Sequence, residues 1–448
     1  MFLVFVDAVS IRINVYCFLL LESRGQKRLE LQADKSSFRS YLFFFAGQQA
    51  SLLGSSISQF VIVWWITLTT GSPIYLSLAM VAGFAPMIVL TPFAGVIADR
   101  VNRKRLIGLA DSLQAISTVV LIMLFWSGYA SIWVILAVAV FKSVCQAFHM
   151  PAVTAIVPLM VPRDKLSRMN GLNYLLNGVM TLIGPIVAAL LLTFMTIDQI
   201  LWVDPATFFI AITPLLFIRI PNARTTQQQQ ATSFKTDFAE GIKFIKNTRG
   251  LVPLIFLATS LNFLFMPFAT LLPYYIKFDH LGGAPELALV LATSQAGMLV
   301  GGIMMTVLKE FKRKMLMIFV SILISFIGYA LIAFTPLSWF WFMAACAFIL
   351  DFGVAPANVT IRTIMQVIIP ADMQGRVNSV LMSLATAASP LGMILAGALA
   401  AYTRTATLFL GCALAGVVTL LISWTFTDVR HIEQVRKDES ADSTTRTY

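Results

Sequence analysis

Twelve long apolar segments dominate this sequence, and they restrict its fold more than any other feature. A helix needs about 20 mostly apolar residues to cross a bilayer, and each segment meets that length. Backbone polar groups in lipid are satisfied only in helices or closed barrels. The segments do not alternate polar and apolar residues, and only 12% of the chain is charged. We therefore predict an all-α membrane protein with twelve transmembrane helices, near residues 41–68, 73–98, 106–127, 131–157, 169–195, 199–219, 251–276, 286–308, 315–335, 338–368, 377–401 and 405–427.

The basic residues divide unevenly between the two sides that this topology creates. Of the 32 Lys and Arg residues, 28 lie on the side of the N-terminus, and two, Lys277 and Arg404, lie on the other side. The remaining two, Lys142 and Arg362, lie inside the apolar segments. Cytoplasmic loops retain Lys and Arg, so both termini are predicted to be cytoplasmic. The net charge of +11 then follows from topology and does not call for a nucleic-acid partner.

The two halves of the chain carry the same local pattern. PRDKLSRMN after the fourth segment and PADMQGRVN after the tenth share Pro, Asp, Arg and Asn in register, 208 residues apart. A six-helix unit repeated in one orientation is typical of two-lobed proteins whose site lies between the lobes, near the bilayer midplane. We predict two pseudo-symmetric six-helix bundles at 38–219 and 251–427, joined by a cytoplasmic linker at 220–250.

Composition assigns the remaining segments. Residues 1–37 are predicted to be an N-terminal extension, because Asp7 and Arg12 interrupt its apolar run and no small-residue cleavage site follows. The linker contains the amphipathic stretch FKTDFAEGIKFIKN, which we expect along the inner leaflet. Residues 428–448 are a predicted cytoplasmic tail. The four widely separated cysteines show no metal-binding spacing, which favours packing roles.

The loop between the second and third segments concentrates charge in an apolar region. Its sequence GVIADRVNRKR, at 95–105, resembles motif A of the major facilitator superfamily. The residues that match are Gly95, Asp99, Arg100, Arg103 and Lys104. Asn102 replaces a glycine of the motif, and we expect it to adopt the left-handed backbone that the glycine would supply. The resemblance implies a conformational latch between the lobes on the cytoplasmic side; a plain topological anchor is the alternative.

The fifth segment carries NGVMTLIGPIVAAL, which resembles the antiporter motif of the same superfamily. Gly184 and Pro185 match that motif, whereas Ala188 and Ala189 replace two of its glycines. The resemblance implies export rather than uptake. Small residues and a proline would serve equally well for tight helix packing, so that alternative stays open.

A finer resemblance extends from about residue 40 nearly to the end of the chain. It is to the macrolide-efflux branch of proton-coupled drug exporters, on the evidence of AGQQASLLGSSI, VIVWWITLTTGSP, FAPMIVLTPFAGVIADR, AFHMPAVTAIVPLMVP and GRVNSV. It implies a multi-pass protein of a bacterial cell membrane that exports lipophilic drugs in exchange for protons. Siderophore exporters and lysophospholipid flippases look similar and remain alternatives, as does a transport-dead scaffold or sensor.

Charged residues inside the apolar segments need a reason, since each costs about 2.5–3.5 kcal/mol at a helix centre on insertion scales. The candidates for proton coupling or for the central cavity are Lys142, Asp351 and Arg362. Asp351 could instead neutralise one of the two cations. Asp111 and Asp204 are closer to segment ends, where we expect capping or loop pairing. His149 is expected to be a packed histidine, although histidine titrates near neutral pH.

Polar and adaptable apolar side chains are predicted to line the central cavity, because such walls accept bulky lipophilic compounds. The candidates are Gln48, Gln49, Asn262, Phe265, Met266 and Asn358. The sequence contains no Walker loop, no Gly-x-Ser-x-Gly and no zinc-binding cluster, so we expect a transporter rather than an enzyme, without cofactor or metal. Its expected partners are a lipophilic small molecule, protons and the lipid bilayer, and we expect a monomer.

Overall fold

The computed structural model describes residues 35–218, 220, 234–308, 311, 313–370 and 373–431. Within those ranges every regular element is a helix, and twelve helices are long and apolar enough to cross a membrane. This confirms the predicted all-α architecture. Most of the predicted N-terminal extension and of the predicted tail lies outside the described residues.

We number the membrane-spanning helices α1 to α12. In the first half they are α1 (Lys35–Thr70), α2 (Pro73–Arg100), α3 (Arg103–Trp126), α4 (Ile132–Met160), α5 (Leu166–Leu191) and α6 (Ile197–Phe217). In the second half they are α7 (Leu251–Tyr274), α8 (Ala284–Val307), α9 (Lys314–Ala333), α10 (Phe340–Ile368), α11 (Gln374–Ala400) and α12 (Thr405–Phe426).

Two of these spans are interrupted at a single residue. The interruption lies at Trp202 in α6 and at Ala388 in α11. Pro205 and Pro390 follow within three residues. Because proline has no backbone N–H, each removes one helical hydrogen bond to the preceding turn, which explains the break.

The pattern of helix packing repeats between the two halves. In the first half, α1 packs on α5 and α6, α3 packs on α4 and α6, and α2 packs on α4. In the second half, α7 packs on α11 and α12, α9 packs on α10 and α12, and α8 packs on α10. Each pair has its counterpart six spans later, so the chain forms two pseudo-symmetric six-helix bundles, as predicted.

The two bundles meet mainly through α5 with α8 and through α2 with α11. Glycines allow both approaches. A Cβ added at Gly178 of α5 would overlap the side chain of Leu299 on α8, and one added at Gly397 of α11 would lie 2.6 Å from Ser77 Cβ on α2. We call the end at which α2 connects to α3 the basic end. Gly397 and Ser77 lie near the opposite end, since α2 begins and α11 finishes there.

The linker contains a helix, Phe234–Asn247, that packs on the basic end of α11. Ile245 is buried, and a Cβ added at Gly241 would lie 2.9 Å from Val380 Cγ2. Arg376 of α11 forms an ion pair with Glu240 at 2.7 Å. One face of this helix therefore covers the second bundle, because its small and apolar residues fit α11. Its position along the inner leaflet remains a prediction.

Candidate functional site

A buried ion pair lies in the first bundle. Lys142 Nζ on α4 is 2.8 Å from Asp204 Oδ2 on α6. Thr118 on α3 donates a hydrogen bond to the same oxygen at 2.7 Å, and Ser55 on α1 donates to Oδ1 at 2.8 Å. Asp204 is only 5% exposed. Side chains of α1, α3 and α4 thus give three hydrogen-bond donors to the carboxylate on α6. These bonds offset part of the cost of burying its charge. We call these four residues the Lys142 layer.

The expectation that Asp204 caps a helix or pairs with a loop is wrong. Asp204 lies in the first turn after the interruption at Trp202, but its carboxylate is bound by side chains of α1, α3 and α4 and not by a helix end or a loop. The suggestion that Asp351 neutralises Lys142 is also wrong, because Asp351 belongs to α10 of the other bundle. One sequence signal pointed to the true pair: Lys142 and Asp204 carry opposite charges within apolar segments of the same half.

A second ionisable pair lies in the same bundle, closer to the basic end. His149 Nε2 on α4 is 3.0 Å from Asp111 Oδ1 on α3. Gln48 on α1 donates a hydrogen bond to Asp111 Oδ2 at 3.3 Å. Asp111 is buried, so the expectation of capping or loop pairing is wrong for this residue too. His149 is packed, as expected, but beside a carboxylate. We call Gln48, Asp111 and His149 the His149 layer.

Further polar contacts lie on α5, the helix that connects the two bundles. Gln49 of α1 donates a hydrogen bond to Asn177 at 3.0 Å within the first bundle. Gln295 of α8 donates to Thr181 at 2.9 Å, and this bond crosses between the bundles. Hydrogen-bonding side chains therefore lie at the interface of two otherwise apolar bundles, where they can be exchanged for water or for a polar ligand.

One face of α10 is both polar and exposed. Asn358, Arg362 and Gln366 follow one another at four-residue spacing, which places them on one face of the helix, and all three are exposed. Polar and charged side chains are costly against lipid and generally face a bundle interior or a water-filled cavity. This face is therefore expected to line an aqueous space, and the cavity roles of Asn358 and Arg362 remain predictions.

Asp351 holds α10 against α8. Its carboxylate accepts a hydrogen bond from Ser294, and no cation pairs with it among the described residues. Ser143, 208 positions earlier, accepts a hydrogen bond from the backbone N–H of Met87 on α2 at 3.1 Å. Asp351 thus connects α10 to α8, and Ser143 connects α4 to α2, which is the equivalent helix pair of the first bundle. This equivalence favours a structural role for Asp351. Its predicted part in proton coupling remains a prediction.

The three cavity candidates on α7 differ in their surroundings. Phe265 stacks on Phe326 with ring centroids 4.8 Å apart, inside the second bundle, which favours a packing role. Asn262 donates to the carbonyl of Ala258 in its own helix at 2.9 Å. Met266 lies beside Gly392 of α11. The cavity roles of Asn262 and Met266 remain predictions.

The basic residues of the motif A loop bind the backbone of their own bundle. Arg103 Nη1 donates to the carbonyl of Ala155 at 3.1 Å. Lys104 Nζ donates to the carbonyls of Leu216 and Ile218, both at 2.8 Å, where the C-terminal end of α6 favours a cation. A Cβ added at Gly95 would meet no atom within 4 Å.

The expectation for Asn102 is wrong. Its backbone is extended, with φ −64° and ψ 110°, and its side chain accepts a hydrogen bond from the N–H of Arg105 at 3.2 Å. Asn102 therefore caps the start of α3, because an asparagine oxygen satisfies a free helical N–H. The side chains of Asp99 and Arg100 lie outside those described, so the latch remains a prediction.

The residues of the antiporter motif form a tight contact with α1. A Cβ added at Gly184 would lie 2.6 Å from Ser56 Cβ, and Pro185, Ala188 and Ala189 are buried. This geometry supports the packing interpretation of the motif. Its implied link with export is addressed below.

Metal-binding geometry is absent from the described part of the chain, where no three His, Cys, Asp or Glu side chains are grouped to hold an ion. Cys145 and Cys346 are buried and Cys412 is partly buried. Their placement in helix interfaces agrees with a packing role.

Comparison with known proteins places the chain among transporters. The family model described as Major Facilitator Superfamily matches residues 44–389 and 268–447. Macrolide efflux protein A of Streptococcus pyogenes is 30% identical over 351 residues, which cover 78% of this chain and 86% of that protein. Multidrug efflux pump Tap of Mycolicibacterium fortuitum is 26% identical over 80% of this chain and 88% of that pump.

Solved structures agree with this fold at low sequence identity. A bacterial homologue of the iron transporter ferroportin, in an inward-facing state, has a TM-score of 0.66 at 14% identity and covers 86% of this chain and 99% of its own. A POT family transporter in complex with a thioalcohol-conjugated peptide has a TM-score of 0.68 at 13% identity, over 87% of this chain and 96% of its own. With its twelve spans, its repeated bundles and these matches, the chain belongs to the Major Facilitator Superfamily and resembles its macrolide-efflux members.

Proposed function

We propose that this protein is a secondary exporter of amphiphilic, macrolide-like drugs, which it exchanges for protons by alternating access. The observation that most supports a transport path is the hydrogen bond from Gln295 to Thr181, a polar contact across the interface between the two bundles. The relatives named macrolide efflux protein A and multidrug efflux pump Tap support the substrate class.

The proposed path runs between the first bundle, 38–219, and the second bundle, 251–427. We place the basic end in the cytoplasm, with both termini, because Lys and Arg are retained there. The protein would then span the inner membrane of a bacterial cell. A monomer suffices for this mechanism, since one chain supplies both bundles and the interface between them.

Proton coupling requires an ionisable group that changes its partners during the cycle. Lys142, Asp351 and Arg362 are the candidates from the sequence, and the structure adds Asp204 as the partner of Lys142. We further propose that the motif A residues stabilise the basic end in one conformation. The antiporter motif, packed on α1, would keep α5 close to the first bundle while its other face separates from α8.

Drug accumulation tests the function directly. An exporter-depleted bacterial host that expresses the protein should accumulate less of a fluorescent macrolide than the host alone, and a protonophore should abolish the difference. A flippase would instead take up labelled lysophospholipid after the gradient is lost. A scaffold would change neither. Either of those outcomes would contradict drug export.

A matched pair of glycine variants tests alternating access. Gly397→Leu should separate α11 from α2 at the end opposite the basic end and reduce export, because a Cβ there would lie 2.6 Å from Ser77 Cβ. Gly411→Leu, on α12, places its side chain where no atom lies within 4 Å of the added Cβ and should export normally. Equal export by both variants at equal expression would contradict the proposed closure between α2 and α11.

A further inference from the structure

The Lys142 layer and the His149 layer are stacked along the axis of the first bundle. Each of α1, α3 and α4 contributes one residue to each layer, seven positions apart in every case: Gln48 and Ser55, Asp111 and Thr118, and Lys142 and His149. Seven residues are about two helical turns, or roughly 10 Å along the axis, so the same helix faces carry both layers. On α6 only Asp204 takes part, since Ala211, seven positions later, packs against Gly47.

The second bundle shows that helix packing does not require these charges. The residues 208 positions after Lys142 and Thr118 are Leu350 and Phe326, and both are buried and apolar. The same arrangement of helices therefore forms with an apolar interior at the equivalent place. Replacing a buried ion pair by apolar residues is often neutral for stability, so its retention calls for another reason. Ionisable residues inside membrane helices generally mark ion pathways.

The two layers contain nearly all the titratable groups of their surroundings. Among the described side chains, α6 brings Asp204, α3 brings Asp111, and α4 brings Lys142, His149 and the thiol of Cys145. α1 contributes only the neutral members of each layer. The described side chains of α2 and α5, which pack on the same bundle, bring no titratable group to either layer.

We propose that Asp204 is the proton-binding carboxylate of the transport cycle and that His149 transfers the proton between Asp204 and the basic end. This inference rests on the proton antiport proposed above. When a proton binds an Oδ atom of Asp204, the carboxylate charge goes from −1 to zero while Lys142 keeps its ammonium charge. The Lys142 layer thus changes from neutral to +1.

Protonation of Asp204 changes which conformation of the bundle is favoured. An ammonium group without its counterion is costly in a low-dielectric interior. The Lys142 side chain is already 21% exposed, so the protein does not fully enclose it. A protonated Asp204 therefore favours the state in which Lys142 is hydrated, and release of the proton restores the ion pair.

His149 is positioned for the transfer step. It lies two turns closer to the basic end than Lys142, and its Nε2 is 3.0 Å from Asp111 Oδ1, so a second carboxylate lies beside the proposed relay. During export the proton leaves Asp204, binds the imidazole, and is released from the imidazolium at the basic end, which leaves His149 neutral again. Water must bridge the roughly 10 Å between the layers, because that spacing exceeds a hydrogen bond.

Two assays in proteoliposomes separate coupling from substrate binding. One measures uptake of radiolabelled erythromycin driven by a pH gradient; the other measures exchange of the same drug without a gradient. Asp204→Asn should lose gradient-driven uptake and keep exchange. His149→Gln should slow gradient-driven uptake and keep exchange, since glutamine cannot carry the proton. Asp198→Asn, a partly exposed acid of the same helix that accepts a hydrogen bond from Trp126, is the control and should retain both activities.

A double variant covers the case in which Asp204→Asn does not fold because Lys142 is left unpaired. Lys142→Met with Asp204→Leu removes both charges and should fold, keep exchange and lose gradient-driven uptake. Gradient-driven uptake at the wild-type rate, either in this double variant or in Asp204→Asn, would overturn the inference. So would a loss of gradient-driven uptake in Asp351→Asn alone. Absence of gradient-driven uptake in the wild type would instead contradict the proposed antiport itself.

Discussion

Lys142 and Leu350 occupy equivalent places in the two bundles, 208 residues apart on α4 and α10, yet one is charged and the other is apolar. Leu350 is buried among apolar side chains, whereas Lys142 pairs with Asp204 across 2.8 Å. The pseudo-symmetry therefore extends to the packing of the helices but not to the chemistry of their interiors. An aromatic cluster that includes Phe265 and Phe326 fills the second bundle where the first holds an ion pair.

This asymmetry predicts how the pair contributes to stability. Lys142→Met alone should lower the free energy of unfolding by about 3–5 kcal/mol, because it leaves the Asp204 carboxylate buried without a counterion. The double variant Lys142→Met with Asp204→Leu should recover most of that loss. Chemical unfolding in detergent measures both. Arg249→Gln, which breaks the exposed pair with Asp428, is the control and should have a small effect. A single and a double variant of equal stability would contradict the prediction.

The contact of Gly184 with α1 predicts a steric effect with a specific rescue. Gly184→Ala should destabilise the protein by about 1–3 kcal/mol, since the added Cβ overpacks against Ser56. Ser56→Gly in the same chain removes the obstructing atoms and should restore stability. Thermal unfolding of the single and double variants provides the measurement. Gly83→Ala on α2 has open space and should behave as the wild type; an equal loss there would refute the steric explanation.

The placement of Phe265 predicts a loss of stability without a change in drug preference. Phe265→Ala should cost about 3 kcal/mol, because it removes a ring that stacks on Phe326 and lies 6.0 Å from that of Tyr329. Phe256→Ala, on the same helix but 66% exposed, should cost much less. Unfolding and a drug-susceptibility panel check the two parts. A shifted drug profile at unchanged stability would instead restore Phe265 to the cavity.

His280, in the connection between α7 and α8, predicts a pH effect on stability. Burial lowers the pKa of His280 below its usual range, although the charge of Asp279 partly opposes this effect. The unfolded chain then binds a proton at a higher pH than the folded protein does. The stability that neutral His280 contributes to the folded protein is therefore fully present above about pH 6.5. It is lost as the pH falls through that value and below.

Melting temperatures between pH 7.5 and pH 5 test this effect. The wild type should lose more stability over that range than His280→Gln, because glutamine takes up no proton. Taking the difference between the two curves removes the contribution of other acidic groups, which titrate in both proteins. Parallel curves would show that His280 is not the group responsible.

Labelling of introduced cysteines tests the orientation of the basic end. The native cysteines are first replaced by serine. A membrane-impermeant maleimide should label a Tyr402→Cys variant in intact cells, since Tyr402 is 91% exposed in the connection between α11 and α12. An Arg105→Cys variant should react only after the cells are permeabilised. Labelling of the Arg105 variant in intact cells would reverse the proposed topology.

The sequence predicted the spans and their repetition because these depend on local properties. About 20 apolar residues in succession can be stable in lipid only as a helix, whatever the neighbouring segments do. The register between PRDKLSRMN and PADMQGRVN likewise identifies two related halves without any knowledge of contacts.

The candidate site was predicted less completely. Lys142 stood out because a charge within an apolar segment is costly, and the same reasoning drew attention to Asp351 and Arg362. The partner of Lys142 was not predicted, because Asp204 lies near the start of its apolar segment in the sequence. The helix cap at Asn102 was not predicted, because comparison with the motif suggested a left-handed backbone in place of the glycine. In the structure the backbone is extended, and the side chain of Asn102 caps α3.

By itself, the sequence determined that this chain forms twelve membrane helices in two related bundles, since the solvation of each segment by lipid is a local property. Only the tertiary structure decided that Lys142 meets Asp204, that His149 meets Asp111 and that Phe265 joins an aromatic cluster. Those partners are separated by 38 to 62 positions, as in His149–Asp111 and Lys142–Asp204. Which faces of distant helices come together depends on close packing of the whole bundle, and no single segment contains that information.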